Sequence, residues 1–191
     1  MQVSNMAPSG DGDHVDRVIE MWAREAPELD LSCVAVIARL GRVRAYVDRS
    51  LEELLSRHGL TRQSWDVLAS LRRVGAPYRL SPTELNQVVM RTSGAVTHTL
   101  HGLEYAGLVR RVPNPEDKRG LLVELTDEGR ELLGRVSPKH LDNERRMLSV
   151  LTPAEQQTLA SLLRTLLIGF ERDNPVPHGP SVKRRRAERT G

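Results

Sequence analysis

Apolar residues recur along this chain at helical spacing, in blocks set off by clear start and stop signals. Val15, Val18, Ile19 and Trp22 fall at i, i+3, i+4 and i+7 behind Asp13, an N-cap candidate, and Pro27 ends the block. A longer stripe runs through Val34, Ile37, Leu40, Tyr46, Val47, Leu51, Leu54 and Leu55, capped by Asp30 or Ser32 and stopped by Gly59. Thr61 caps a helix carrying Trp65, Leu68 and Leu71, which halts before the Gly-Ala-Pro of residues 75–77. SPTE at 81–84 is a capping box with proline at the first helical position, where its missing N–H is not needed, and its helix reaches about Met90. Thr126, with Asp127 and Glu128 suitably placed for the helix dipole, opens another helix that Pro138 is expected to kink or break. TPAE at 152–155 is a second capping box and starts a last helix with Leu159, Leu162, Leu163, Leu166 and Leu167.

Helical spacing gives way at residues 107–126, GLVRRVPNPEDKRGLLVELT. Two short apolar runs flank a tip of charge, proline, asparagine and glycine, the pattern of a β-hairpin. Just before it, after a break at 91–93, lies GAVTHTLHGLEYAG, closed by Gly107. At about 100° per residue, Val96, Leu100 and Leu103 form one narrow stripe, while Gly94, Thr97, His98, His101 and Tyr105 lie opposite. A short helix, a turn, a second helix and a hairpin form a winged helix-turn-helix, in which the second helix enters a DNA major groove. The predicted fold class is mainly α with a small β-hairpin wing.

The outward face of the second helix is polar without being acidic, as an approach to base edges and phosphates requires. The hairpin tip, with Asp117, Lys118 and Arg119, can project a guanidinium towards a narrow minor groove. Candidate DNA contacts are therefore Ser81, Arg91, Thr92, Ser93, Thr97, His98, His101, Arg110, Asp117, Lys118 and Arg119. Any surface helix has a polar face and any exposed loop carries charge; the hairpin following directly on this helix favours recognition over either.

Composition narrows the function classes. The 191 residues suit one globular domain with appended elements, and 39% hydrophobic content with 3% aromatic points to packed helices of Leu, Val and Ala. The net charge of +3 misleads, because Lys183, Arg184, Arg185, Arg186 and Arg189 against Glu188 give residues 175–191 a net +4 and leave the remainder at −1. A basic footprint on the folded part must be local, and the tail adds at most nonspecific attraction to DNA. The lone Cys33 excludes an internal disulfide framework and fits a reducing cytoplasm. No apolar run is long enough to span a bilayer, so a cytoplasmic protein without membrane partners is expected. There is no phosphate-cradling glycine loop, HExxH or paired-cysteine spacing, and the six histidines are dispersed, so neither enzyme activity, a metal nor a cofactor is expected. The expected segments are a disordered 1–12, helices at 13–58, a winged helix-turn-helix lobe at 61–126, C-terminal helices at 127–172 and a disordered basic tail at 173–191.

From about residue 32 to 170 the chain resembles the MarR family of bacterial transcription factors. The densest part is LSPTELNQVVMRTSGAVTHTLHGLEYAGLVRRVPNPEDKRGLLVELTDEG, where Asp117-x-Arg119 matches the family's wing motif and LTDEG its exit from strand to helix. The resemblance implies an obligate homodimer, formed by N- and C-terminal helices, that acts as a repressor on a palindromic double-stranded DNA operator. Its half-sites would lie one helical turn apart, roughly 34–36 Å. Residues 18–40 look like the urate-responsive and PecS-like branch with an extra N-terminal helix. That likeness implies ligand roles for Trp22 and Asp66, and for two arginines near the recognition helix. Arg111 matches the second, but Thr99 stands in the place of the first and cannot pair with an anion as arginine does, so the implied ligand is another small aromatic or carboxylate anion. Trp65 is read as core packing.

Two other readings compete. Cys33, near a helix N-terminus where a thiolate is favoured, makes the chain a candidate peroxide-sensing repressor, against the plainer reading of a buried small apolar residue. A winged scaffold can also serve as a small-molecule or protein-interaction module that reads no DNA; substituting both Arg119 and His98 distinguishes that module from a DNA reader.

Overall fold

The computed structural model describes residues 12–89, 93–115, 117 and 120–173, with residues 88 and 93–95 described by backbone alone. Among them the elements are α1 (His14–Glu25), α2 (Ser32–Ser56), α3 (Arg62–Arg73), β1 (Arg79–Leu80), α4 (Pro82–Val89), α5 (Ser93–Tyr105), β2 (Val109–Pro113), β3 (Leu121–Leu125), α6 (Asp127–Met147) and α7 (Pro153–Asp173). The chain divides into two compact units, Met1–Ser50 and Leu51–Gly191, the division falling inside α2.

In the first unit the start of α1 is fixed by a reciprocal cap. The Asp13 carboxylate accepts from the N–H groups of Val15 at 2.6 Å and Asp16 at 3.0 Å, while the Asp13 N–H donates to the Asp16 carboxylate at 2.8 Å. Arg39, from α2, donates to Asp13 at 2.8 Å and to Asp16 at 2.5 Å. Val15 is buried beside this cluster, whereas Trp22 is half exposed. Cys33 is an exposed free thiol in the first turn of α2, so the expectation that it packs as a small apolar residue does not hold.

The second unit holds the core, built where α3, α4, α5 and the sheet meet. Leu55, Leu68, Leu71, Leu85, Val96, Leu100, Leu103, Val109, Val123, Leu125, Leu133 and Val136 are all buried in one cluster. Trp65 belongs to it, 8% exposed, with its ring 4.6 Å from that of His140 on α6. The sheet is antiparallel in the order β1-β3-β2. Its short outer strand, β1, pairs Arg79 with Glu124 and Leu80 with Val123. A two-residue strand has too little alternation to be visible in sequence, and only the β2-β3 hairpin was expected.

The helix boundaries follow the caps. Thr61 accepts from the N–H of Ser64, and both capping boxes form: Ser81 and Thr152 cap their helices while Glu84 and Glu155 reach back to them. Pro138 does not break α6, which continues to Met147. Proline costs a helix one hydrogen bond and a clash with the carbonyl four residues back. That residue is Gly134, which, like Pro138, faces solvent, so water can serve the released carbonyl while Leu133, Val136 and Asn143 keep the other face packed.

Candidate nucleic-acid interface

The two faces of α5 have opposite fates. Val96, Leu100 and Leu103 are 2–3% exposed and seat the helix in the core. Thr97, His98 and His101 are exposed on the outward side, and Tyr105, at the far end, is 97% exposed. Three buried aliphatic residues thus hold a neutral polar surface outward, the arrangement needed to bring side chains to base edges without an acidic residue opposing the phosphates. Ser93 opens the helix; Arg91, Thr92, Lys118 and Arg119 lie outside the described residues. Ser81 is half-buried and is held at the start of α4, its hydroxyl donating to Glu84 at 2.8 Å.

The wing grows from a charged knot at its base. Glu124 stands on the central strand directly between Arg79 of β1 and Arg110 of β2. Its side chain is 7% exposed, and both guanidinium groups donate to it, Arg110 Nε at 2.7 Å. Burial pushes the Glu124 pKa up, but the hydrogen bonds from Arg110 and Arg79 outweigh it and hold the carboxyl below its ordinary value. Arg110, a candidate DNA contact, is therefore anchored at one end of its fork and still 65% exposed. At the tip, the Gly120 N–H donates to the Asp117 carbonyl at 2.9 Å, and the Asn114 N–H to the Gly120 carbonyl at 3.0 Å, with Asp117 exposed.

Where the wing leaves α5 and enters α6, the backbone is pinned. Gly107 takes φ +69°, which an L side chain rarely adopts, and its carbonyl accepts from the Thr126 hydroxyl at 2.8 Å. The same hydroxyl accepts from the Gly129 N–H at 3.0 Å as the N-cap of α6. A Cβ on Gly129 would lie 2.3 Å from the Leu108 carbonyl oxygen and 2.7 Å from Leu125 Cδ1. The glycine of the LTDEG segment is thus required by the close approach of α6 to the turn after α5.

Two of the four ligand candidates, Asp66 and Arg111, are already ion-paired. Asp66, on α3, is half-buried and bound by Arg62 at 3.1 Å. Arg111, on β2, is bound by Glu104 of α5 at 3.0 Å, so its charge is already answered. Thr99 is half-buried on α5, and Trp22 lies on α1 in the other unit.

A family model described as "MarR family" matches residues 58–120. Over 149 residues the chain is 39% identical to the HTH-type transcriptional regulator PecS of Dickeya dadantii, covering 78% of this chain and 90% of PecS. The chain belongs to the MarR family. Among solved structures it is similar to Sco3205, a MarR family transcriptional regulator from Streptomyces coelicolor in complex with DNA, with TM-score 0.69, 30% identity and coverage of 78% of this chain and 97% of that one. It is similar also to a mutant MarR from E. coli complexed with operator DNA, with TM-score 0.63, 32% identity and coverage of 77% and 98%. As a MarR-family chain it is a DNA-binding transcriptional regulator and not an enzyme. No helix among the described residues is long and apolar enough to cross a membrane.

Sequence reasoning missed Glu124, Arg79, Glu104 and His140 in this MarR-family lobe. Glu124 alone had a readable signal: an acidic residue inside the otherwise apolar strand LLVEL has to find a cationic partner. The other three depend on which strand or helix lies alongside, which no local pattern specifies.

Proposed function

We propose that the protein is a homodimeric repressor that binds a palindromic operator and is released by a small anionic ligand. The observation that carries this reading is α5: its apolar stripe is fully covered, and Thr97, His98 and His101 are presented outward beside an ion-paired wing. In this reading residues 61–126 form the DNA-reading lobe, Arg91, Thr92, Ser93, Lys118 and Arg119 supply further contacts, and Asp117 orients the wing tip. Residues 13–58 and 127–172 supply the dimer contacts. Support comes from α7, none of whose side chains is buried although Leu162, Leu163, Leu166, Leu167 and Phe170 all lie along it. A surface of that kind is normal at an isologous contact between copies and unusual when left to water.

Trp22, Asp66, Thr99 and Arg111 are the residues through which a small aromatic or carboxylate anion would act. Such a ligand has to bind the DNA-incompetent form better than the competent one, since equal affinity shifts nothing. An anion that takes Arg111 from Glu104 at the end of α5 would meet that condition, because the same helix carries the reading face. The test is a mobility shift with the DNA flanking the protein's own gene, at stated salt, titrated with aromatic carboxylates. Binding that disappears when Arg119 and His98 are both substituted, with dimer and helicity retained, is the expected result. No binding to any such DNA at low salt would overturn the reading.

A further inference from the structure

Gly102 stands inside α5 although nothing in its own chain calls for a glycine. Its backbone is helical, with φ outside the left-handed region, so no turn requires one there. A Cβ built on it would meet nothing within 4 Å, in contrast to Gly129, so no packing within the chain requires one either. A glycine in a helix interior is nonetheless costly, because ordering its flexible backbone loses more entropy than ordering alanine does. What a glycine provides is room for another backbone to come close, and Gly102 is exposed on the outward side of the helix.

The surroundings of Gly102 fit one kind of neighbour. His98 lies one turn before it and Tyr105 one turn after, each within about 60° of it around the axis, so the three stand in line. From His98 to Tyr105 is about 10 Å along the helix, and a major groove is about 12 Å wide. A helix whose His98 reads base edges therefore brings its Tyr105 end within reach of the phosphates that border the groove. The Tyr105 ring is 97% exposed, and among the described residues none bonds to its hydroxyl. A phenol can donate to a phosphate oxygen. Glu104, the one acidic residue of α5, lies almost opposite Gly102 around the axis and is bound by Arg111 at 3.0 Å. An approaching phosphate thus meets no unanswered negative charge on this helix.

We propose that α5 lies against the sugar-phosphate backbone of the duplex at Gly102, too close to admit a Cβ, and that Tyr105 donates its hydroxyl to a phosphate there. Neither residue is among the candidate DNA contacts. The inference rests on α5 being the DNA-reading helix and adds where that helix stops reading. His98 and His101 face base edges, whereas the end from Gly102 to Tyr105 contributes affinity that is blind to sequence.

Titrated mobility shifts of the full-length protein at fixed salt test this, with a duplex from the DNA flanking its own gene and with copies of that duplex carrying single base-pair changes. Gly102→Ala should raise the melting temperature of the free protein by about 2–3 °C, because alanine is the better helix former. It should nevertheless weaken binding at least about tenfold. Tyr105→Phe should weaken binding several-fold at an unchanged melting temperature. Each loss should be the same factor on every duplex, since a phosphate contact carries no sequence information. Binding by Gly102→Ala indistinguishable from the parent's would overturn the proposal, as would full affinity in Tyr105→Phe. A loss accompanied by a lower melting temperature would overturn it by showing that the glycine serves the fold, and losses that vary from duplex to duplex would assign these residues to base reading instead. If the parent binds none of the duplexes even at low salt, the DNA-reading assignment of α5 fails and this inference with it.

Discussion

Helices α5 and α7 are both amphipathic by sequence, yet only α5 has its apolar face covered. Val96, Leu100 and Leu103 disappear into the lobe, while the leucines of α7 stay 39–61% exposed. The difference teaches that the winged lobe closes its own hydrophobic core within one chain, and that α7 brings apolar surface this chain does not bury. One helix is held by what it packs on, and the other offers a surface for something else to pack on.

Four variants test that contrast. The largest effect should come from Leu100→Ala, which empties a site 2% exposed and should cost about 3–4 kcal/mol in denaturant unfolding, whatever the protein concentration. Leu162→Ala with Leu166→Ala should behave differently: if α7 packs on a second copy, the dimer dissociation constant in sedimentation rises at least about tenfold, roughly 1.4 kcal/mol or more. If instead this face stays in water, the double variant changes stability by no more than about 0.5 kcal/mol and the contrast collapses.

Glu124→Gln should cost about 1–2 kcal/mol at neutral pH, through weakened charged hydrogen bonds to Arg79 and Arg110. The Glu124 pKa is depressed in the folded state, so its contribution is complete above the ordinary glutamate value of about 4.3 and is lost as pH falls through the lower folded value. The variant and the parent should therefore draw together in stability as pH falls below the ordinary glutamate range, as followed by thermal melts at decreasing pH. The smallest stability effect belongs to His98→Ala, within about 0.5 kcal/mol because the side chain is exposed. Its operator affinity should nonetheless fall by about 1–3 kcal/mol in a titrated mobility shift, and an unchanged affinity would remove His98 from the reading face.

The sequence was most informative wherever a local rule is decisive. Capping pairs such as Ser81 with Glu84 lie three residues apart and need no tertiary context, so they and their helices appear where expected. The two faces of α5 were legible for the same reason, since the angle per residue is fixed by helix geometry. What escaped depends on neighbours far along the chain. Glu124 meets Arg79 only because a two-residue strand pairs in one register, and Arg111 meets Glu104 only because β2 returns beside α5. That α6 runs on through Pro138 could not be read from the sequence, because the cost of a proline depends on which side of the helix it occupies, and that is set by packing.

Gly129 sets a limit on motion. With no room between its Cα and the Leu108 carbonyl, the base of α6 and the turn that ends α5 are in effect bolted together. Any displacement of the first turn of α6 therefore has to carry the end of α5 with it or open this joint.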